Sequence, residues 1–304
     1  MGYHSVAQTL KLFREQQGLS QEEFADGIMS VRHYARLENG ETSVSKSTID
    51  LLFNRLGMVA KRFFPYHLSN EELNVYMLRD EFDDCLAVED DERMAAIFAE
   101  MEKQKMFKKG LHKQFLLKAK AALYNKRDND YAAAKTVLQD AIKITIPMFE
   151  YSFVDKYLLG SEDIEIIVML AKAEEQEGDT DIAVIILEKL AVNINARLID
   201  KHEKARSLIL VLYNLSNILG KLERFEEALK ACTEALEFSE RVRVYGLIPQ
   251  LIFNKAYCLF YLNRRDNLQE MLQLAYYTGL SHGQKNTAEK IEKLALSLFD
   301  ISIK

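Results

Sequence analysis

The chain has 304 residues, 48% of them hydrophobic, with only three prolines and twelve glycines. That is enough apolar material for two or three packed domains, and it argues against both disorder and a turn-rich β fold. A formal charge of −6 argues against nucleic-acid contact along the whole chain, and no apolar run approaches the roughly 18 residues that a membrane helix needs.

The charge is unevenly divided. Residues 1–66 hold eight bases (Lys11, Arg14, Arg32, Arg36, Lys46, Arg55, Lys61, Arg62) against seven acids, a surplus of +1, so the remainder carries −7. DNA contact through the N-terminal part alone is favoured, and two copies on one site are expected because so modest a charge attracts phosphate weakly. The opening MGYHSVAQTL is too polar for a signal peptide, which points to the cytoplasm. Cys85, Cys232 and Cys258 are odd in number and far apart, making neither a disulfide framework nor a metal motif, and they read as small buried apolar residues.

In chain order, Val6 to Gln17 forms a first helix, with Val6, Leu10 and Phe13 in one stripe, Leu12 beside it, and Gly18 ending it. Ser20 caps a second helix and Glu23 completes a capping box. Phe24, Ala25 and Ile28 face inward, and Gly27 permits a tight turn. Ser30 caps a third helix whose Tyr34 and Leu37 face the core, and Asn39-Gly40 ends it. This leaves Val31, Arg32, His33 and Arg36 on the free face for base edges, with Gln21 and Arg14 beside the groove entry for phosphates. Ser45 opens a fourth helix with Ile49, Leu52, Phe53 and Leu56 inward. Met58 to Phe64 forms a fifth, and Pro65 marks a hinge before a helix capped by Ser69.

The run Gly18-Leu19-Ser20-Gln21, then Ala25, then Arg36-Leu37-Glu38-Asn39-Gly40 resembles the Cro/repressor-type helix-turn-helix family. Its turn is one residue shorter than that family's usual form, which is similar to the peptide-regulated Rgg and PlcR branch.

From residue 70 onward the pattern is helix after helix, and it aligns with the tetratricopeptide repeat of two antiparallel helices. Phe115–Ile146 supplies Ala122, Tyr131, Ala134 and Ala141 at the small, aromatic, small and small positions. Ile164–Arg197 supplies Ala171, Gly178, Ala183 and Leu190. Ile209–Val242 supplies Ser216, Phe225, Ala228 and Ala235. Pro249–His282 supplies Ala256, Asn263 and Ala275, with Leu268 in place of a small residue. The starts lie 49, 45 and 40 residues apart, so extra residues lengthen helices or connections. Residues 70–110 form a degenerate leading pair and Asn286–Ile303 a closing helix. The fold class is therefore all-α: a five-helix helix-turn-helix domain over 1–66, then a tetratricopeptide-like right-handed α-solenoid over 67–304.

No catalytic constellation is present. The six histidines stand apart without the i+3 or i+4 partner of a metal face, and there is no phosphate loop or nucleophile elbow. The protein is not expected to be an enzyme, and neither metal nor cofactor is expected. In tetratricopeptide domains that grip peptides, asparagines at the sixth or ninth repeat position hold the peptide backbone. Here Asn214 and Asn254 fall at position six and Asn217 at position nine. An amide suits the role because it donates and accepts at once. Tyr213, Phe253, Tyr257, Phe260 and Tyr261 would form pockets beside them, with Lys172 and Lys120 suited to a carboxylate.

Across nearly its whole length the chain resembles the RRNPP family of bacterial regulators. The resemblance implies a homodimeric, cytoplasmic transcription factor that binds a double-stranded DNA operator and a short signalling peptide, as in quorum sensing, with no membrane partner. Two other readings stay open on the residues alone: the same fold answering to a protein partner or metabolite, and a repeat scaffold that does not bind DNA.

Overall fold

The computed structural model describes residues 6–57, 70–88, 90–197 and 200–303. Among these described residues there are fifteen α-helices and no β-strand. Helices α1 (Val6–Gln16), α2 (Gln21–Ala25), α3 (Val31–Glu38) and α4 (Lys46–Arg55) close around a core of their own. Leu10, Phe24, Tyr34, Leu37, Leu52, Phe53 and Leu56 are each 5% exposed or less. The helix starts are set by local hydroxyls. Ser20 Oγ accepts the Glu23 N–H at 3.1 Å while Glu23 accepts the Ser20 N–H at 2.8 Å, and Ser30 and Ser45 cap α3 and α4 in the same sense. Leu12, expected beside the core, is exposed. The expected fifth helix at 58–64, the Pro65 hinge, the Ser69 cap and the boundary at 66/67 lie outside the described residues.

The rest of the chain is a stack of antiparallel pairs: α5 (Asn70–Val88) with α6 (Asp91–Lys103), α7 (Gly110–Leu123) with α8 (Tyr131–Ile142), and α9 (Ser161–Glu177) with α10 (Thr180–Arg197). α11 (Lys201–Lys221) with α12 (Phe225–Val242), α13 (Ile248–Tyr261) with α14 (Leu268–Ser281), and the single α15 (Lys285–Phe299) complete it. Ala122, Ala134, Ala141, Ala171, Ala183, Ala228, Ala235, Ala256 and Ala275 are all 4% exposed or less. These are the small positions read from the repeat, and they let neighbouring backbones approach closely enough for each pair to bury its face on the next.

The 49-residue interval between the first two repeats is explained by residues 143–160, a connection with one 3-10 turn at Tyr151–Phe153. This connection is one of the places where the N-terminal unit meets the solenoid. Gly27 has φ +70, and a Cβ on it would lie 2.7 Å from the Thr145 carbonyl oxygen, so only glycine allows the approach. The buried Arg55 guanidinium donates to the carbonyls of Phe24 (3.1 Å), Asp26 and Thr145 (3.4 Å). The Thr145 hydroxyl donates to Asp163 Oδ1 at 2.6 Å, and the same oxygen accepts from Gln114 Nε2 at 2.8 Å. One polar chain thus runs from the end of α2 to the start of α9. Burial drives the Asp163 pKa up and that of Arg55 down.

Candidate DNA-reading face and ligand groove

Helix α3 buries Tyr34, Leu37 and Glu38 and turns Val31, Arg32, His33 and Arg36 outward. Val31 is 41% exposed. Arg36 Nε stands 3.7 Å from Glu41, an exposed pair that holds it weakly. These four residues share one open face, as their spacing predicts.

Arg14 does not join them. Its side chain is buried, with Nε 2.6 Å from Glu38 Oε1 and Nη1 2.5 Å from the Leu19 carbonyl, so it braces α1 against α3 and is withdrawn from any phosphate. Gln21 is half-buried and donates to Glu38 Oε2 at 2.7 Å, and the Tyr34 hydroxyl donates to Oε1 at 2.6 Å. Glu38 is therefore the hub beneath the open face of α3. Burial alone would raise its pKa, but the bonds from Arg14, Tyr34 and Gln21 outweigh that and hold it below the usual glutamate range. The bond to Glu38 raises the Arg14 pKa, and burial followed by the same carboxylate raises that of Tyr34. Nothing in the spacing of Arg36-Leu37-Glu38 separates a buried carboxylate from a surface one.

The solenoid carries a groove of about 450 Å³ lined by α9, α10, α11, α13 and α15. It gathers Lys172, Tyr213, Asn214, Asn217, Phe253, Asn254 and Tyr257, which are dispersed over 86 residues of sequence. The asparagines are half-buried. Asn254 Nδ2 donates across the repeat boundary to Ser216 Oγ at 2.9 Å and to Asn217 Oδ1 at 2.8 Å. Asn214 Nδ2 donates to the Leu210 carbonyl at 2.8 Å, within its own helix. Two of the three amides thus donate within the solenoid, one across a repeat boundary and one to its own helix. Gly220 faces the Tyr257 ring, 3.6 Å from where a Cβ would sit.

Tyr261 lies outside the groove lining. It is 42% exposed and stacks on Phe225, with centroids 4.9 Å apart. Phe260 also lies elsewhere, its ring centroid 4.8 Å from that of Phe299, as does Lys120, 5.8 Å from the Tyr124 ring. Glu175, Gln176, Leu187, Lys221 and Leu298 line the groove without having been anticipated. Glu175 and Gln176 follow Lys172 by three and four residues, so helical periodicity contained that signal. The Lys221–Glu175 ion pair ties α11 to α9 there.

These features define a class by architecture: a helix-turn-helix unit whose second helix leaves one face open, joined to a tetratricopeptide-like solenoid with an amide-lined groove. Residues 10–63 match the helix-turn-helix family model and residues 210–241 the tetratricopeptide repeat model. No curated protein matches the chain in sequence. Among solved structures, PlcR of Bacillus thuringiensis in complex with the peptide PapR7 and DNA superposes with a TM-score of 0.63 at 17% identity, over 94% of this chain and 98% of that one. ComR from Streptococcus vestibularis in its apo form reaches 0.52 at 16% identity, over 96% and 97%. ComR from S. thermophilus, in complex with DNA and its signalling peptide ComS, reaches 0.50 at 16% identity, over 96% and 99%. At such identities the similarity establishes a shared fold. Among the described residues no helix is long and apolar enough to cross a membrane.

Proposed function

We propose that the protein is a cytoplasmic, homodimeric, non-enzymatic transcriptional regulator that reads an operator through α3 and binds a short signalling peptide in the solenoid groove. The observation that carries the reading is a pairing on one chain: an exposed Val31-Arg32-His33-Arg36 face, and a groove into which Asn214, Asn217 and Asn254 converge. The fold shared with PlcR and ComR, which are seen with peptide and DNA, supports it. In this reading residues 1–66 bind DNA and residues 67–304 sense peptide and dimerise.

An extended peptide presents alternating N–H and C=O groups, which side-chain amides match whatever the peptide's sequence. Asn254 exchanges its bonds to Ser216 and Asn217 for bonds to the peptide, so binding loosens the contact between α11 and α13 and changes how the repeats stack. Tyr213, Phe253 and Tyr257 pack on peptide side chains, and Lys172 faces a carboxylate. Arg32, His33 and Arg36 reach base edges, with Gln21 at the phosphate rim.

Enrichment of genomic fragments on the purified protein identifies the operator. Calorimetry with peptides encoded by small reading frames beside the gene identifies the ligand. The double variant Asn214→Ala, Asn254→Ala is then expected to lose the peptide response while keeping basal DNA binding, because each unmatched peptide group costs about 1–3 kcal/mol. Full peptide affinity in that variant sinks the groove assignment, and absence of any enriched sequence sinks the reader helix.

A further inference from the structure

A second cavity, of about 320 Å³, lies between α4 of the N-terminal unit and α5, α7 and the start of α9. Its wall holds two bases, and both are already engaged. Lys46 Nζ lies 2.5 Å from Asp50 and 4.0 Å over the Tyr76 ring. Arg79 lies 2.7 Å from Glu162 and over the Phe115 ring.

Several of the remaining polar groups lack a donor. Gln114 is fully buried, and its amide nitrogen donates to Thr145 Oγ1 and Asp163 Oδ1. Its Oε1 has no partner among the described residues. His112 is 4% exposed, and its Nδ1 is likewise without a partner. Burial, with Arg79 and Lys46 close by, pushes the His112 pKa down to about 4, so the ring is neutral near pH 7. Asp80 is exposed on the same cavity and forms no ion pair with any described residue. Buried polar groups left unpaired are rare in folded proteins, because each forfeits its hydration without recompense.

We propose that this cavity binds a small aliphatic diamine, with one ammonium donating to Gln114 Oε1 and the second donating to Asp80. An anion finds no unengaged base on the wall, and an apolar molecule leaves the Gln114 acceptor unmet. The volume sits near the small end of the range for ligand sites, about 300–1,000 Å³, so it suits a diamine and is too small for a peptide. Neutral His112 adds a further acceptor. The site shares no residue with the solenoid groove. Its walls come from both α4 and the solenoid, so a bound amine bridges the two units and favours the packing described above.

The test uses the full-length protein and 1,4-diaminobutane, with potassium chloride and glycerol as controls. Calorimetry is expected to show saturable one-to-one binding accompanied by a rise in unfolding temperature. Asp80→Asn, at an exposed position, is expected to weaken it about tenfold, and Glu240→Gln, exposed on α12, to leave it unchanged. No binding at up to about 10 mM diamine, an equal response to potassium, undiminished affinity in Asp80→Asn, or a diamine-soaked crystal with water alone in the cavity overturns the proposal.

Discussion

The reading face on α3 and the groove on the solenoid differ in how their parts are assembled. The face is one short helix, and its exposed residues lie within six positions of one another. A buried carboxylate on the opposite side of the same helix ties it to α1. The groove draws residues from α9, α10, α11, α13 and α15, and its asparagines bond across repeat boundaries. A local face can be repositioned as a unit without changing its shape. A groove shared among repeats changes shape whenever their stacking changes, and in the proposed function that suits one region to reading and the other to sensing.

The contrast is broken most severely at Glu38. Glu38→Ala leaves Arg14 buried without its partner and is expected to destabilise the N-terminal unit by about 3–5 kcal/mol. Thermal unfolding should then separate an early N-terminal transition from that of the solenoid. The double variant Arg14→Met, Glu38→Leu should recover part of the loss, the buried Tyr34 hydroxyl remaining without its acceptor. If the single variant melts like the parent, the brace is not what stiffens α3. The hub also carries a pH dependence. The folded carboxyl lies below its ordinary value, so its contribution is present above the ordinary glutamate range and is lost as pH falls through it. Unfolding temperature should decline in acid for the parent and more shallowly for Arg14→Met, Glu38→Leu.

The link between the two regions is tested at Gly27. Gly27 and Gly40 have nearly the same backbone, φ +70 and +73, but a Cβ on Gly40 meets nothing within 4 Å. Gly40→Ala therefore reports conformational strain alone, about 1–2 kcal/mol. Gly27→Ala adds a collision with the Thr145 carbonyl and is expected to destabilise by about 2–4 kcal/mol in total. It should also alter hydrogen exchange along residues 143–160. Equal losses in the two variants would mean that the units do not rest on each other at Thr145.

The finest test sharpens the face itself. Arg32→Ala and Arg36→Ala are each expected to reduce specific operator binding by about 1–3 kcal/mol without changing the unfolding temperature. Arg14→Ala should act instead through stability. Band-shift titrations against specific and scrambled duplexes separate these effects. Loss of equal size on both duplexes would assign the arginines to phosphate and leave base reading to Val31 and His33.

Much of this was legible from the residues alone. The caps at Ser20, Ser30 and Ser45, the turns at Gly18, Gly27 and Gly40, and the alanines between repeats depend on one helical turn or one repeat period. A local rule decides them before the chain has folded. Seven of the ten expected groove residues meet in one groove, where equivalent repeat positions point the same way. Tertiary structure alone decided that Arg14 turns inward, since its partner Glu38 is 24 residues away and only packing tells a buried charge from a solvated one. It moved Tyr261 out of the groove by stacking it on Phe225, 36 residues earlier. It also turned residues 143–160, an interruption in the repeat spacing, into the seat on which the N-terminal unit rests. Periodicity assigns a residue to a face of its own helix, but what that face meets depends on partners brought together by the whole fold.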